Sequence, residues 1–294
     1  MSTPYRPKTT LEQWRILQAV VDHGGYAHAA QVLNKSQSSL NHAVAKLQDT
    51  LEVELLEVVG RKAQLTPIGE TMVRRSRQLT SLVTELEQLA VNLKQGWETK
   101  ITLAVEMVFD RQLLVPVLHE FQQLSRGTRL VIEDTVLTGS IEHILDQSAD
   151  IVITHQLPKG HVGEPISGYR LDLVVSKEHP LAQQPGPISA DELSQYLQIV
   201  IRDTAKKPIE VEGWLKSEQR WTVNHFNESL QLVQNGLGFS WLPPHVTRHA
   251  DNLCFLTLAG SSKRSGSMYL TLPKGDTTGP CARMLYQLLI KELI

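Results

Sequence analysis

At 294 residues, 41% apolar, 20% charged and with a net charge of −2, the chain has room for two or three domains and the balance of an ordinary globular protein. No apolar run approaches the roughly 18 residues that cross a bilayer, and the opening MSTPYRPKTT lacks the apolar stretch of a signal peptide, so a cytoplasmic setting without a membrane partner is expected. Cys254 and Cys281 lie in separate apolar segments and read as buried thiols, since disulfides are rare in a reducing compartment.

Charge is unevenly spread. Residues 1–78 carry ten Lys and Arg against seven Asp and Glu, and the remainder is net negative. A mildly basic N-terminal end suits a face turned toward nucleic acid.

The first elements are helical. Thr10 caps a helix from Leu11, with Gln13 completing a capping box. Leu11, Trp14, Leu17 and Val21 recur at helical spacing as its buried face. Gly24-Gly25 ends that helix, and a second runs over about residues 26–33, where small Ala29 and Ala30 permit close packing. Asn34-Lys35 turns the chain and Ser36 caps a third helix, whose Leu40, Val44 and Leu47 face the core. Ser36, Gln37, Ser38, Ser39, Asn41 and His42, with Lys46 further along, are then the candidates for reading DNA. Their small polar members gather at the end that a recognition helix sets into the major groove. Residues 54–56 and 63–66 read as strands, joined by a Gly60-Arg61-Lys62 turn whose basic tip suits a phosphate contact. An ordinary three-helix domain would share the helix spacing. The basic hairpin favours a winged helix-turn-helix.

Through Gly24, Tyr26, Ala29-Ala30, Leu33, Ser36-Gln37-Ser38-Ser39-Leu40, Leu47, Leu55, Gly60-Arg61, Leu65-Thr66-Pro67 and Gly69, the segment resembles the N-terminal domain of the LysR-type transcriptional regulators. The resemblance implies a sequence-specific DNA-binding regulator of promoter or operator duplex, not an enzyme, with neither cofactor nor metal. It also implies a homodimer or tetramer, contact with RNA polymerase if the regulator is an activator, and a periplasmic-binding-protein-like effector domain. Five positions depart from the family: Asn41 and Ala27 stand where it often has Ser or Thr, and three more lose a basic residue. His42 and Val58 stand where it usually has Arg, and His28 where it has Arg or Lys. Each missing arginine removes a permanent charge and a forked donor, while histidine changes charge near neutral pH. Modest affinity per module, sensitive to pH, is expected.

From Gly69 to about Gln95 the chain lacks further Gly or Pro and reads as one long helix. Leu79, Leu82, Leu86, Leu89 and Leu93 follow the 3-4 spacing of a coiled-coil seam. Dimerisation through that seam would give a two-fold pair of recognition helices.

From Lys100 the pattern becomes alternating strands and helices, as in a parallel sheet covered by helices. Strands are expected at 101–105, 129–133, 150–154, 171–175, 198–201, 220–223 and 268–272. Helices are expected at 110–124, 141–147, 226–234 and 280–293. Gly236-Leu237-Gly238 and Leu242-Pro243 resemble the glycine turn and Leu-Pro pair of LysR-type effector domains. The expected organisation is a DNA-binding domain over 1–68, a linker helix over 69–97 and a regulatory domain over 98–294. In the last, subdomain I covers about 98–168 and 268–294, and subdomain II about 169–267.

Two subdomains joined by two crossings imply a cleft, and clefts in α/β folds bind ligands at strand ends and helix starts. Candidate effector contacts are Glu106, Met107 and Asp110 after the first strand, Thr135 after the second, and Thr154 and His155 at the first crossing. Arg202 and Asp203 follow a strand of the second subdomain, and Asn224 and His225 precede a helix. The first turn carries Glu106 and Asp110 but no hydroxyl, so a carboxylate effector anchored there would be opposed unless Arg202 or His225 compensates. Three other readings fit less well. His245 and His249 lack the intervening Glu of a zinc hydrolase helix, and no phosphate loop or Gly-x-Ser-x-Gly elbow occurs. A solute-binding protein would leave residues 11–95 without a purpose. A regulator with an occluded cleft and no small-molecule effector is the remaining alternative.

Overall fold

The computed structural model describes residues 6–59, 62–208, 215–260 and 264–294. The Arg61 candidate lies outside the described residues, as does the side chain of Lys62. Two compact units divide between Asn92 and Leu93.

The first unit opens with α1 (Leu11–Asp22), α2 (Tyr26–Val32) and α3 (Gln37–Leu51). Thr10 and Gln13 form a reciprocal capping box: the Thr10 hydroxyl accepts the Gln13 amide and the Gln13 side chain accepts the Thr10 amide at 2.8 Å. Trp14 and Leu17 of α1, Ala29 and Ala30 of α2, and Leu40, Val44 and Leu47 of α3 share one core. The α1 stripe differs from the expected one. Leu11 is 37% exposed and Val21 only partly buried, while Ile16 and Val20 are buried in their place. At about 100° per residue, positions 13, 16, 17 and 20 form the inward face.

The strands β1 (Leu56–Val59) and β2 (Lys62–Leu65) pair antiparallel, and α4 (Pro67–Lys94) follows. Thr66 stitches this hairpin to α4. Its hydroxyl donates to the Glu54 carbonyl and accepts the Gly69 amide. A Cβ at Gly69 would lie 2.0 Å from the Leu55 carbonyl oxygen, so only glycine lets α4 start against the hairpin.

The second unit holds β3 (Lys100–Glu106), α5 (Val115–Leu124), β4 (Arg129–Thr135), α6 (Thr138–Leu145) and β5 (Ile151–Thr154). Then come β6 (Glu164–Ser176), α7 (Ala190–Leu193), β7 (Gln198–Ile201), β8 (Arg220–Val223), α8 (Phe226–Gln234) and β9 (Phe239–Leu242). The single turn α9 (Pro244–Thr247), β10 (Leu253–Leu256), β11 (Arg264–Thr271) and α10 (Pro280–Leu293) complete it. The strand order is β4-β3-β5-β11-β6-β9-β7-β8, with β10 also on β6.

Partner exchange along β6 defines two subdomains. Residues 164–171 pair with β11, whereas 172–176 pair with β9 and β10. Subdomain I has parallel β3, β4 and β5, and its core joins Leu103 and Val105 to Phe121 of α5 and Leu285 and Leu289 of α10. In subdomain II, parallel β7 and β8 sit beside β9, and Val174, Ile199, Val233 and Leu242 pack together.

The crossing expected at Thr154 and His155 is not there. Thr154 ends β5 inside subdomain I, and the crossings are the paired strands β6 and β11. The sequence masks the first half of β6 because Pro165 and Gly168 interrupt its apolar run. Pro165 faces Tyr269 where the register shifts between Met268 and Tyr269, a place that tolerates a residue with no N–H. The helix expected from 110 begins as a 3-10 turn over Arg111–Leu114, and α6 starts three residues before the expected Ile141. Strands β9 and β10 were not expected at all.

Candidate DNA-reading face and ligand cleft

Helix α3 separates its two roles by face. Leu40, Val44 and Leu47 have no exposed surface, and this anchors the helix. Ser36, Gln37, Ser38, Ser39, Asn41, His42 and Lys46 are all exposed. Ser36 accepts the Ser39 amide at 3.2 Å and so satisfies one of the free donors at the helix start. Gln48 fixes the far end, its side-chain oxygen accepting the Leu55 and Leu56 amides at 2.7 and 3.0 Å. The wing is thereby tied to the helix it flanks.

Along α4, Leu79, Leu82, Leu86, Leu89 and Leu93 are exposed, Leu82 and Leu86 at 61% and 66%. Among the described residues of its own unit, nothing covers this leucine face.

A cavity of about 660 Å3 lies between the two subdomains of the second unit. Val136 and Leu137 line it from subdomain I, Leu171 and Arg264 from the crossing strands, and Arg202, Asp203, Arg220, Phe226 and Trp241 from subdomain II. Its volume falls within the usual range of small-molecule sites. Arg264 stacks on Trp241 with its guanidinium carbon 4.5 Å from the ring centroid, and burial lowers its pKa.

One edge of the cleft is bridged. Three successive amides of the β4–α6 turn each donate to a side chain. Val136 donates to Thr204 Oγ1 at 2.9 Å, Leu137 to Glu106 Oε1 at 2.9 Å, and Thr138 to Asp203 Oδ2 at 3.2 Å. Asp203 and Thr204 belong to subdomain II, so the first and third of these bonds cross the cleft, while the Glu106 bond stays within subdomain I. Leu137 has φ 50° and ψ −115°, a conformation that costs energy for a side-chain-bearing residue and is held here by bonds on both sides.

A second cavity of about 330 Å3 lies by Asp110, Tyr169 and His245. Asp110 caps the 3-10 turn through the Gln112 amide and pairs with Arg248 at 3.1 Å. Desolvation lowers the His245 pKa, with Asp110 opposing and Arg248 adding to that shift.

Of the sequence candidates, Arg202 and Asp203 line the larger cavity and Asp110 the smaller. Buried Glu106 faces His155, Oε2 to Nδ1 at 3.5 Å. The amide of Met107 donates to the Thr135 carbonyl at 2.8 Å, which ties the first turn to β4. Thr135 is wholly buried, and Thr154 bonds Ser140 at 2.9 Å. Asn224 and His225 are exposed beside α8, the Asn224 amide donating to Glu228. None of these seven lines either cavity. Arg220, Trp241 and Arg264 carry no sequence mark as cleft residues, because a lone Arg or Trp on a strand looks the same on any sheet face. Among the described residues no group of His, Cys, Asp and Glu could hold a metal ion, and no helix is long and apolar enough to cross a membrane.

Comparison with known families matches residues 11–70 to the bacterial regulatory helix-turn-helix proteins of the lysR family, and residues 94–293 to the LysR substrate binding domain. The chain belongs to the LysR family. It is therefore a DNA-binding transcriptional regulator with a substrate-binding domain, and not an enzyme. This LysR-type regulator is 32% identical to the uncharacterized HTH-type transcriptional regulator YeeY of Escherichia coli K12 over 252 residues, 82% of this chain and 80% of that protein. It is 29% identical over 239 residues to the probable HTH-type transcriptional regulator YhaJ of the same strain, 80% of each chain. Among solved structures, CrgA of Neisseria meningitidis is similar at 18% identity and a TM-score of 0.49, over 97% of this regulator and 99% of CrgA.

Proposed function

We propose that the regulator binds a two-half-site promoter or operator as a dimer joined along α4, and that a small molecule in the 660 Å3 cleft biases its DNA-bound shape. The supporting observation is the division of α3 into a buried leucine–valine stripe and an exposed polar face at its start. In this reading Gln37, Ser38, Asn41 and His42 meet base edges, while Ser36, Ser39, Lys46, Arg61 and Lys62 meet phosphates. Leu79, Leu82, Leu86, Leu89 and Leu93 form the seam. Domain limits at 1–68, 69–97 and 98–294 fit this reading, as do a cytoplasmic setting and, in an activator, contact with RNA polymerase. The open cavity favours an effector over an occluded cleft.

Selection of duplexes from a random pool, followed by anisotropy titration, tests the proposal. A site with two related half-sites about one helical turn apart is the expected product. Each phosphate contact should add about 0.9 to the slope of log affinity against log salt. Equal binding to selected and scrambled duplexes would overturn the reading.

A further inference from the structure

We infer that the cleft takes a small organic anion with an apolar body, its acid group held by Arg202, Arg220 and Arg264. This rests on the cleft being the effector site. Three guanidinium groups and one carboxylate, Asp203, line the cavity among the described residues. That carboxylate is already committed. One oxygen takes the amide and hydroxyl of Thr138, and the other takes the Ala205 amide at 2.9 Å. No described carboxylate lies within ion-pair distance of the three arginines. Arg220 gives one N–H to the Leu215 carbonyl at 3.2 Å, which leaves its other donors open.

The walls specify the rest of the ligand. Leu171, Ile199, Phe226 and Trp241 are apolar or aromatic, so a fully hydrated ion would waste them. Arg264 gains most from an anion. It is partly buried against the Trp241 ring, and a partly desolvated cation gains from a counter-charge. Guanidinium groups match carboxylate and phosphate oxygens in pairs, which fits either acid. The anion would also sit next to Asp203. Repulsion there would weaken the bond to Thr138, so ligand charge would be read out as loosening of the subdomain bridge.

The test titrates the full-length protein with benzoate, hexanoate, adipate and phenyl phosphate. Benzamide, hexanamide and phenyltrimethylammonium serve as neutral and cationic counterparts. Trp241 fluorescence is followed, with Trp241→Phe as the signal control. At least one anion should bind about tenfold tighter than its counterpart. Arg264→Met or Arg202→Gln should each remove about tenfold of that affinity and leave neutral binding unchanged. Arg202 is exposed, so its variant stays informative if Arg264→Met fails to fold. Binding of a neutral or cationic compound as tight as that of the anions would overturn the charge inference and leave the effector site standing. Binding by no compound of any charge would overturn both. Tighter binding of phenyl phosphate than of benzoate, or the reverse, would distinguish a phosphate from a carboxylate ligand within the inferred class.

Discussion

The carboxylate of Asp203, in subdomain II, accepts both the backbone amide and the hydroxyl of Thr138, the first residue of α6 in subdomain I. It places a negative charge at a helix N-terminus, where unpaired amides and the helix dipole favour it. Hydrogen bonds to a charged group contribute about 1.5–3 kcal/mol. Asp203→Ala should therefore lower unfolding free energy by about 2 kcal/mol in urea titration and speed amide exchange over residues 136–140. Unchanged exchange there would show that the bridge carries no strain.

Gly139 sets the closeness of the same bridge. A Cβ at that position would lie 1.8 Å from Thr204 Oγ1. Gly139→Ala should cost about 1–3 kcal/mol, the range for an overpacked contact. Adding Thr204→Gly, which removes the clashing atom, should recover part of that loss. A double-mutant cycle reads this directly, since contacting positions couple by about 0.5 kcal/mol or more. Strict additivity would place the Gly139→Ala cost elsewhere.

His179 predicts an acid weakness in subdomain II. It is buried, its Nδ1 accepts the Leu181 amide at 3.2 Å, and desolvation lowers its pKa from 6.5. Protonation would place a proton on the acceptor and a charge in the core. Below pH 6.5 the unfolded chain takes up this proton before the folded chain does, so stability falls with pH from 6.5 down to the depressed folded value. His245 shifts the same way and adds to the trend. His179→Asn keeps an acceptor for the cap and cannot titrate. Melting curves between pH 7.5 and 5.5 should show a shallower decline for His179→Asn than for the parent protein.

The exposed leucines of α4 predict a separation of folding from assembly. Leu82 and Leu86 are 61% and 66% exposed, so Leu82→Glu with Leu86→Glu removes little from the core of the single chain. Light scattering should show a loss of dimer and a drop in operator affinity, with the winged domain still folded by circular dichroism. A dimer of undiminished mass would move the interface away from the seam.

The local parts of the architecture were the easiest to read. The Thr10 and Ser36 caps and the Leu40, Val44 and Leu47 stripe depend on neighbours a few residues away, and strands 198–201 and 220–223 show as short β-prone runs although they pair with each other. Their spacing is visible in a single segment. Less legible was whatever depends on distant partners. The first half of β6 gains its pairing from β11, nearly a hundred residues later, and overrides Pro165 and Gly168. The cleft is similar. Arg202 and Asp203 are visible as a strand end, but Arg264 and Trp241 become lining residues only once two strands far apart in sequence converge. Thr135 and Thr154 sit at strand ends as expected, yet both are buried, Thr154 bonded to Ser140 of α6.

Helix α10 supplies Cys281, Ala282, Leu285 and Leu289 to the same core as Leu103 and Val105 of β3, and Glu98 accepts the Cys281 and Ala282 amides at its start. Subdomain II lies wholly between these two contributions in sequence. During synthesis the order of completion is therefore inverted. Subdomain II can close while its neighbour, begun earlier, still presents uncovered apolar strands until α10 emerges. A chain cut before residue 280 would keep the strands of subdomain II and leave the apolar face of β3 without the helix that covers it.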